Sequence, residues 1–173
     1  MLEKAGRPSD PQAMTAVKRE IVGALNRDAS GFLLDPEFSA AQLMASGELL
    51  GQNGLAVSLE ATGYEDREGD RLTSILEGWS EAKIKAMGAS SVKLLIYYNP
   101  RREAAARQQE ELVRQVSART RALDIALMVE VVTYPSSDAQ TQEAFQAERR
   151  ELINGSARRL TSCHNVHSHT QYP

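Results

Sequence analysis

The chain has 173 residues, 42% of them hydrophobic and 25% charged, with a formal net charge of −3. That length suits one domain with a sizeable core. The small negative charge, with no basic stripe interleaved with aromatics, argues against nucleic acid as a partner.

Further exclusions follow from the apolar and cysteine patterns. No apolar stretch is long enough to cross a membrane, and the N-terminus carries no signal-peptide pattern. A single cysteine, Cys163, leaves no internal disulfide framework and fits a reducing, cytoplasmic setting.

From Asp10 the pattern is helical. Asp10 can cap, Pro11 suits the first helical position, and Met14, Val17, Ile21, Ala24 and Leu25 fall on one face. A short strand over 31–35 is closed by Pro36, a helix spans 39–50, and Gly51 with Asn53-Gly54 stops it. The second strand covers 55–60. The polar, Gly-containing stretch from Thr62 to Arg71 reads as a long loop. Ser80 then caps a helix to Met87, and Gly88 ends it.

The two most apolar runs come next, over 92–98 and 126–134. Each is short and rich in β-branched and aromatic residues, the signature of strands covered on both faces. Between them a highly charged helix starts at Asn99-Pro100 and runs to about Arg121. Its Arg101-Arg102 and later arginines, beside Glu103, Glu110 and Glu111, read as a solvated helix face. A Pro-Ser-Ser-Asp turn leads to a last helix over 141–160, with Ala144, Phe145, Glu148, Leu152 and Ile153 on its inner side.

Strands near 31, 55, 92 and 126, each followed by a helix, form a βα series. This predicts an α/β fold with parallel strands and outer helices. A complete (β/α)8 barrel takes roughly 250 residues, so the series fits either a small open sheet or part of a barrel. A Rossmann fold needs a Gly-rich turn after its first strand, and Asp35-Pro36-Glu37-Phe38 is not one.

The apolar strands over 92–98 and 126–134 each carry one ionisable group, Lys93 and Glu130. A charge there loses its hydration at a cost of several kcal/mol unless something compensates. By alternation Lys93 shares a face with Leu95 and Tyr97, and Glu130 with Met128 and Val132. If both point inward, a low-dielectric hollow holds an ammonium and a carboxylate from neighbouring strands. A purely structural ion pair is the competing reading. Asp35 and Glu60 each end a strand, where parallel βα folds keep their working residues. A carboxylate before proline also commonly caps a turn.

Five segments, in order and with family-like spacing, resemble the tagatose-bisphosphate aldolase family. They are Leu33-Leu34-Asp35-Pro36-Glu37-Phe38, Glu60-Ala61-Thr62-Gly63-Tyr64, Trp79-Ser80 with Lys83 and Lys85, the strand of Lys93 through Asn99, and Glu130-Val131-Val132-Thr133-Tyr134. The resemblance spans about 31–161. It implies a class I aldolase on a (β/α)8 barrel, cleaving a phosphorylated sugar such as tagatose 1,6-bisphosphate with no metal and no cofactor. It further implies that Glu130 is the general acid/base and that Lys93 organises charge around the substrate. Asp35 and Glu60 fall in family motifs and are expected to bind substrate.

The chain departs from the family in three places. Class I chemistry needs a neutral lysine amine that forms a Schiff base, and no lysine follows Lys93. The opening residues read as a loop rather than a first strand, so the chain is expected to supply strands two to five, a partial barrel over 1–161. Residues 162–173 read as a polar, disordered tail, and Cys163, His164, His167 and His169 lack a second half for a metal site. The expectation is therefore an aldolase-family chain that is inactive alone. The alternative is a non-catalytic half-barrel that self-associates, as a homo-oligomer, through exposed strand edges.

Overall fold

In the computed structural model, which describes residues 10–49, 51–137 and 140–165, four strands form one parallel sheet. They are β1 (Gly31–Leu34), β2 (Gly54–Ser58), β5 (Ser91–Tyr97) and β6 (Ala126–Val132), in the order β1-β2-β5-β6. Adjacent strands pair in parallel throughout. A helical segment links each pair. A π-helical turn (Pro36–Ala40) runs into α2 (Ala41–Ala45), α3 (Glu81–Ala86) precedes β5, and α4 (Glu103–Ala122) precedes β6. α1 (Pro11–Leu25) comes before the sheet and α5 (Gln142–Asn165) after it. The sequence predicts this βα series, and the sheet forms four strands of the expected partial barrel. No helix among the described residues is long and apolar enough to cross a membrane.

The alternation of each strand sorts its side chains between two faces. Leu55, Val57 and Leu59 of the second strand region, with Val92, Leu94, Ile96 and Tyr98 of the third, pack into one core with Ile84, Ala106, Val113, Val116 and Leu160 of the helices. Each fully buried aliphatic side chain of this kind contributes about 2 kcal/mol. The opposite face carries Leu33, Lys93, Leu95, Tyr97, Met128 and Glu130. There Leu33 is 52% exposed and Met128 50%. Among the described residues the run of β6 is thus covered mainly on its helix side, whereas on β5 the inner-face Lys93 is itself buried and Leu95 and Tyr97 are half-buried. Four strands do not curl far enough to close over their own inner face.

Three local differences bear on the site. The stretch read as a long loop contains a hairpin, β3 (Glu65–Arg67) and β4 (Asp70–Leu72). Its two turn residues, Glu68 and Gly69, have φ of 55° and 81°, which is the type I′ geometry that matches strand twist. The charged face of α4 is not simply solvated, since Gln109 and Glu110 are buried. Glu110 accepts from the Tyr98 hydroxyl and from Arg159. Finally, α5 continues helically to Asn165, past the expected end of the domain at 161. The rest of the expected tail, with His167 and His169, lies outside the described residues.

Inner-side assignments on the flanking helices also shift. Val22 is the buried anchor of α1, whereas Ile21 and Leu25 are exposed. On α5, Phe145, Leu152, Ser156, Leu160 and Cys163 form the buried stripe, and Ile153 is exposed.

Candidate active site

Lys93 lies in the middle of the sheet, on the inner face of β5, and is 6% exposed. Its Nζ is 2.6 Å from Glu60 Oε1 and 3.0 Å from Glu130 Oε2. The sheet register makes this geometry possible. Leu95 stands beside Glu130 and Lys93 beside Met128, so the Glu130 carboxylate reaches diagonally to the ammonium one pleat away.

Glu60 arrives by a different route. β2 ends at Ser58, and Leu59 N donates to Lys93 O at 2.9 Å, keeping the chain against β5 for one more residue. Glu60 then bridges to Ile75. Beyond this point β2 no longer supplies acceptors to the edge of β5, and side chains take over. Glu60 Oε2 accepts from Leu95 N at 3.0 Å, and Thr73 Oγ1 accepts from Tyr97 N at 3.2 Å. Buried main-chain donors need such partners.

The two carboxylates are not alike. The Glu60 side chain is 10% exposed, while that of Glu130 is 51% exposed and faces the open side. Burial pulls the Lys93 ammonium toward neutrality, but hydrogen bonds to Glu60 and Glu130 outweigh it and leave its pKa above the ordinary 10.5. At neutral pH Lys93 is a held cation. As a cation it can orient a carboxylate and neutralise developing negative charge.

Asp35 is engaged elsewhere. It caps the π-helical turn, its Oδ1 accepting from Phe38 N at 2.7 Å and its Oδ2 from Ser39 Oγ at 2.8 Å. Lys18 of α1 pairs with the same carboxylate. Burial raises the Asp35 pKa, yet the bonds from Lys18, Phe38 and Ser39 prevail and hold it below the ordinary 3.8. The structure therefore brings Lys93, Glu60 and Glu130 together, while the oxygens of Asp35 are spent on turn and helix.

Sequence reading missed how the loops at the carboxyl end of the sheet are fastened together. Arg102, read as part of a solvated face, fastens the hairpin to the loops after β5 and β6. It pairs with Asp70 and donates to Glu68 O at 2.9 Å and Ser136 O at 3.1 Å. Buried Asn99 ties the same loops, its Nδ2 donating to Tyr134 O at 2.7 Å. Glycine at the turn, Gly69, was the available signal for the hairpin.

The model of the DeoC/LacD family aldolases matches residues 3–165. The chain belongs to that family. It is 33% identical over 143 residues to the tagatose 1,6-diphosphate aldolase of Lactococcus lactis subsp. lactis, a match covering 81% of this chain and 43% of that one. With the enzyme of the same description from Listeria monocytogenes serotype 4a it shares 29% over 153 residues, covering 88% and 44%. The chain thus spans under half the length of these relatives. Among solved structures, Cgl0159 from Corynebacterium glutamicum superposes with a TM-score of 0.55 at 15% identity, covering 83% of this chain and 48% of that one. An archaeal fructose 1,6-bisphosphate aldolase gives 0.51 at 18% identity, covering 84% and 54%. These likenesses bear on the fold alone, and this fold makes up about half of each of those chains. The Lys93 triad of this DeoC/LacD-family chain sits on the inner face of the four-stranded sheet.

Proposed function

We propose that the chain carries the proton-transferring part of a class I ketose-bisphosphate aldolase site, for a phosphosugar such as tagatose 1,6-bisphosphate. Glu130 is the acid/base, Lys93 its positioning cation, and Glu60 the buried carboxylate that keeps Lys93 charged and in place. The observation that carries this reading is the asymmetry of the triad: one carboxylate sealed with the ammonium, the other open to the hollow. In cleavage, Glu130 takes the proton of the hydroxyl on the carbon that becomes the aldehyde. The carbon–carbon bond breaks as that oxygen forms its carbonyl, and the released electron pair passes into an iminium on the ketose side.

The iminium needs a neutral lysine, and the described residues offer none at the site. Lys93 is held as a cation. Lys18 pairs with Asp35, while Lys83 and Lys85 donate to Gly78 O and Asp124 O. No lysine follows Lys93 in the 173 residues. In this reading the described residues bind a phosphosugar without turning it over.

Calorimetric titration with dihydroxyacetone phosphate, followed by borohydride treatment and mass spectrometry, tests both halves of the reading. The expected result is binding that Glu130→Ala weakens, with no covalent adduct. Absence of binding overturns the aldolase reading, and an adduct on Lys93 overturns its role as a held cation.

A second reading, a half-barrel that associates with its own kind, draws on the outer edges of β1 and β6. Each of these strands pairs on one side only within the described sheet.

A further inference from the structure

A second cleft, of about 160 Å³, opens at the carboxyl-end mouth of the sheet, between the hairpin and the segment after β6. A water takes roughly 30 Å³ of liquid volume, so the space holds a phosphoryl group and the carbon that bears it. Arg71 of β4 lines it, its guanidinium 4.8 Å from the Tyr64 ring and 5.4 Å from the Tyr134 ring. Two aromatic faces hold the guanidinium plane by cation–π attraction. They use none of its N–H donors. Asp66, its cross-strand neighbour, accepts instead from Gly69 N at 3.2 Å, and among the described residues no carboxylate pairs with Arg71.

Tyr134 adds an independent observation. It is 1% exposed, and its hydroxyl proton finds no acceptor among the described residues. Burial pushes the phenol pKa up, against a smaller opposing effect of the Arg71 main-chain N–H, so the hydroxyl is protonated at neutral pH. Asn99 fixes the Tyr134 main chain from behind. A buried O–H with no acceptor among the described residues, beside a guanidinium that makes no side-chain hydrogen bond to any of them, is a receptor for an oxyanion.

We infer that this cleft binds the phosphate monoester of a phosphosugar, Arg71 forking onto two of its oxygens and Tyr134 donating to a third. Donors from two directions suit a tetrahedral phosphate better than a flat carboxylate. The inference rests on the reading that the Lys93–Glu130 hollow takes a phosphosugar, and it assigns the group at the far end from the reacting carbons. Tyr97 lies on the same face of β5 as Lys93, about 13 Å further along at 3.3 Å per residue. Its ring meets Tyr64 edge-on at 4.8 Å, directly beneath Arg71.

Titration calorimetry on the whole chain tests this, with inorganic phosphate, dihydroxyacetone phosphate and acetate as probes and circular dichroism as the check on folding. Dihydroxyacetone phosphate is expected to bind more tightly than phosphate, and acetate about tenfold more weakly than phosphate. Arg71→Met should weaken both phosphate ligands about tenfold or more, Tyr134→Phe by a smaller factor, and Arg71→Lys should recover part of the loss. Equal phosphate affinity in Arg71→Met and the unaltered chain overturns the cleft, even if dihydroxyacetone phosphate binding still depends on Glu130. Arg71-dependent phosphate binding to which the sugar moiety adds nothing marks an adventitious ion only and overturns the phosphosugar assignment. Acetate binding as tightly as phosphate overturns the ligand class.

Discussion

Lys93 has two carboxylate neighbours whose surroundings differ, and that difference separates structural from chemical roles. Removing the ammonium by Lys93→Met leaves Glu60 enclosed with only Leu95 N as partner, and a buried charge stripped of its counter-ion costs about 3–5 kcal/mol. Removing the charge of half-exposed Glu130 by Glu130→Gln costs at most about 1 kcal/mol. Urea unfolding of the two variants should therefore differ sharply, and equal losses would contradict the asymmetry. The pH limits follow from the same bonds. Asp35 titrates below its ordinary 3.8 in the fold, so its stabilisation is complete above 3.8 and is lost as pH falls through the lower folded value. Lys93 titrates above 10.5, so its contribution is complete below 10.5 and is lost as pH rises beyond it. Urea midpoints between about pH 2 and 5 should fall less steeply for Asp35→Asn than for the unaltered chain. Lys93 and Glu130 were legible in the sequence because each is a lone charge in an apolar run. Glu60 looked no different from Asp35, since both end strands. Only the path of the chain after β2 turns one toward Lys93, while Lys18 and the π-helical turn take up the other.

At the scale of elements, the four parallel strands were legible because burial against the helices writes itself into apolar runs and turn residues. The β3–β4 hairpin was not, because β3 buries nothing and β4 fully buries only Leu72. Glu65 to Arg67 are all exposed, so no hydrophobic period marks them. What holds the hairpin is Arg102, whose role depends on neighbours far along the chain. The β1–β2 pair makes a sharper demand. Gly31 stands beside Gly54 in the register, and a Cβ at Gly31 would lie 2.7 Å from Gly54 O, a main-chain atom that cannot step aside. A Cβ at Gly54 meets nothing closer than 3.6 Å. Gly31→Ala should therefore destabilise by about 1–3 kcal/mol through overpacking, and Gly54→Ala by less than about 1 kcal/mol. Thermal unfolding of the pair checks this, and equal shifts would mean that the strands separate to accommodate either methyl.

At the scale of the whole sheet, the four-stranded arc leaves its inner face uncovered among the described residues. Leu33 and Met128 stand on that face half in water, on the two outer strands whose far edges carry no partner within the described sheet. Unpaired edges bordering exposed apolar side chains invite pairing with another chain. Ile21 and Leu25 of α1 add apolar surface on a helix flanking the same sheet. Association of two copies through these edges would cover both sets at once and bring two Lys93 triads toward one enclosed space. Light scattering should accordingly show a mass that rises with concentration, and a hydrophobic dye should bind at low concentration and be displaced as association proceeds. Met128→Gln, which removes the exposed apolar side chain from the β6 edge without setting a second cation beside Lys93, should shift the mass toward the monomer at a stability cost of at most about 0.5 kcal/mol. A monodisperse monomer that binds no dye would show that the inner face is content in water, and the half-barrel association reading would fall with it.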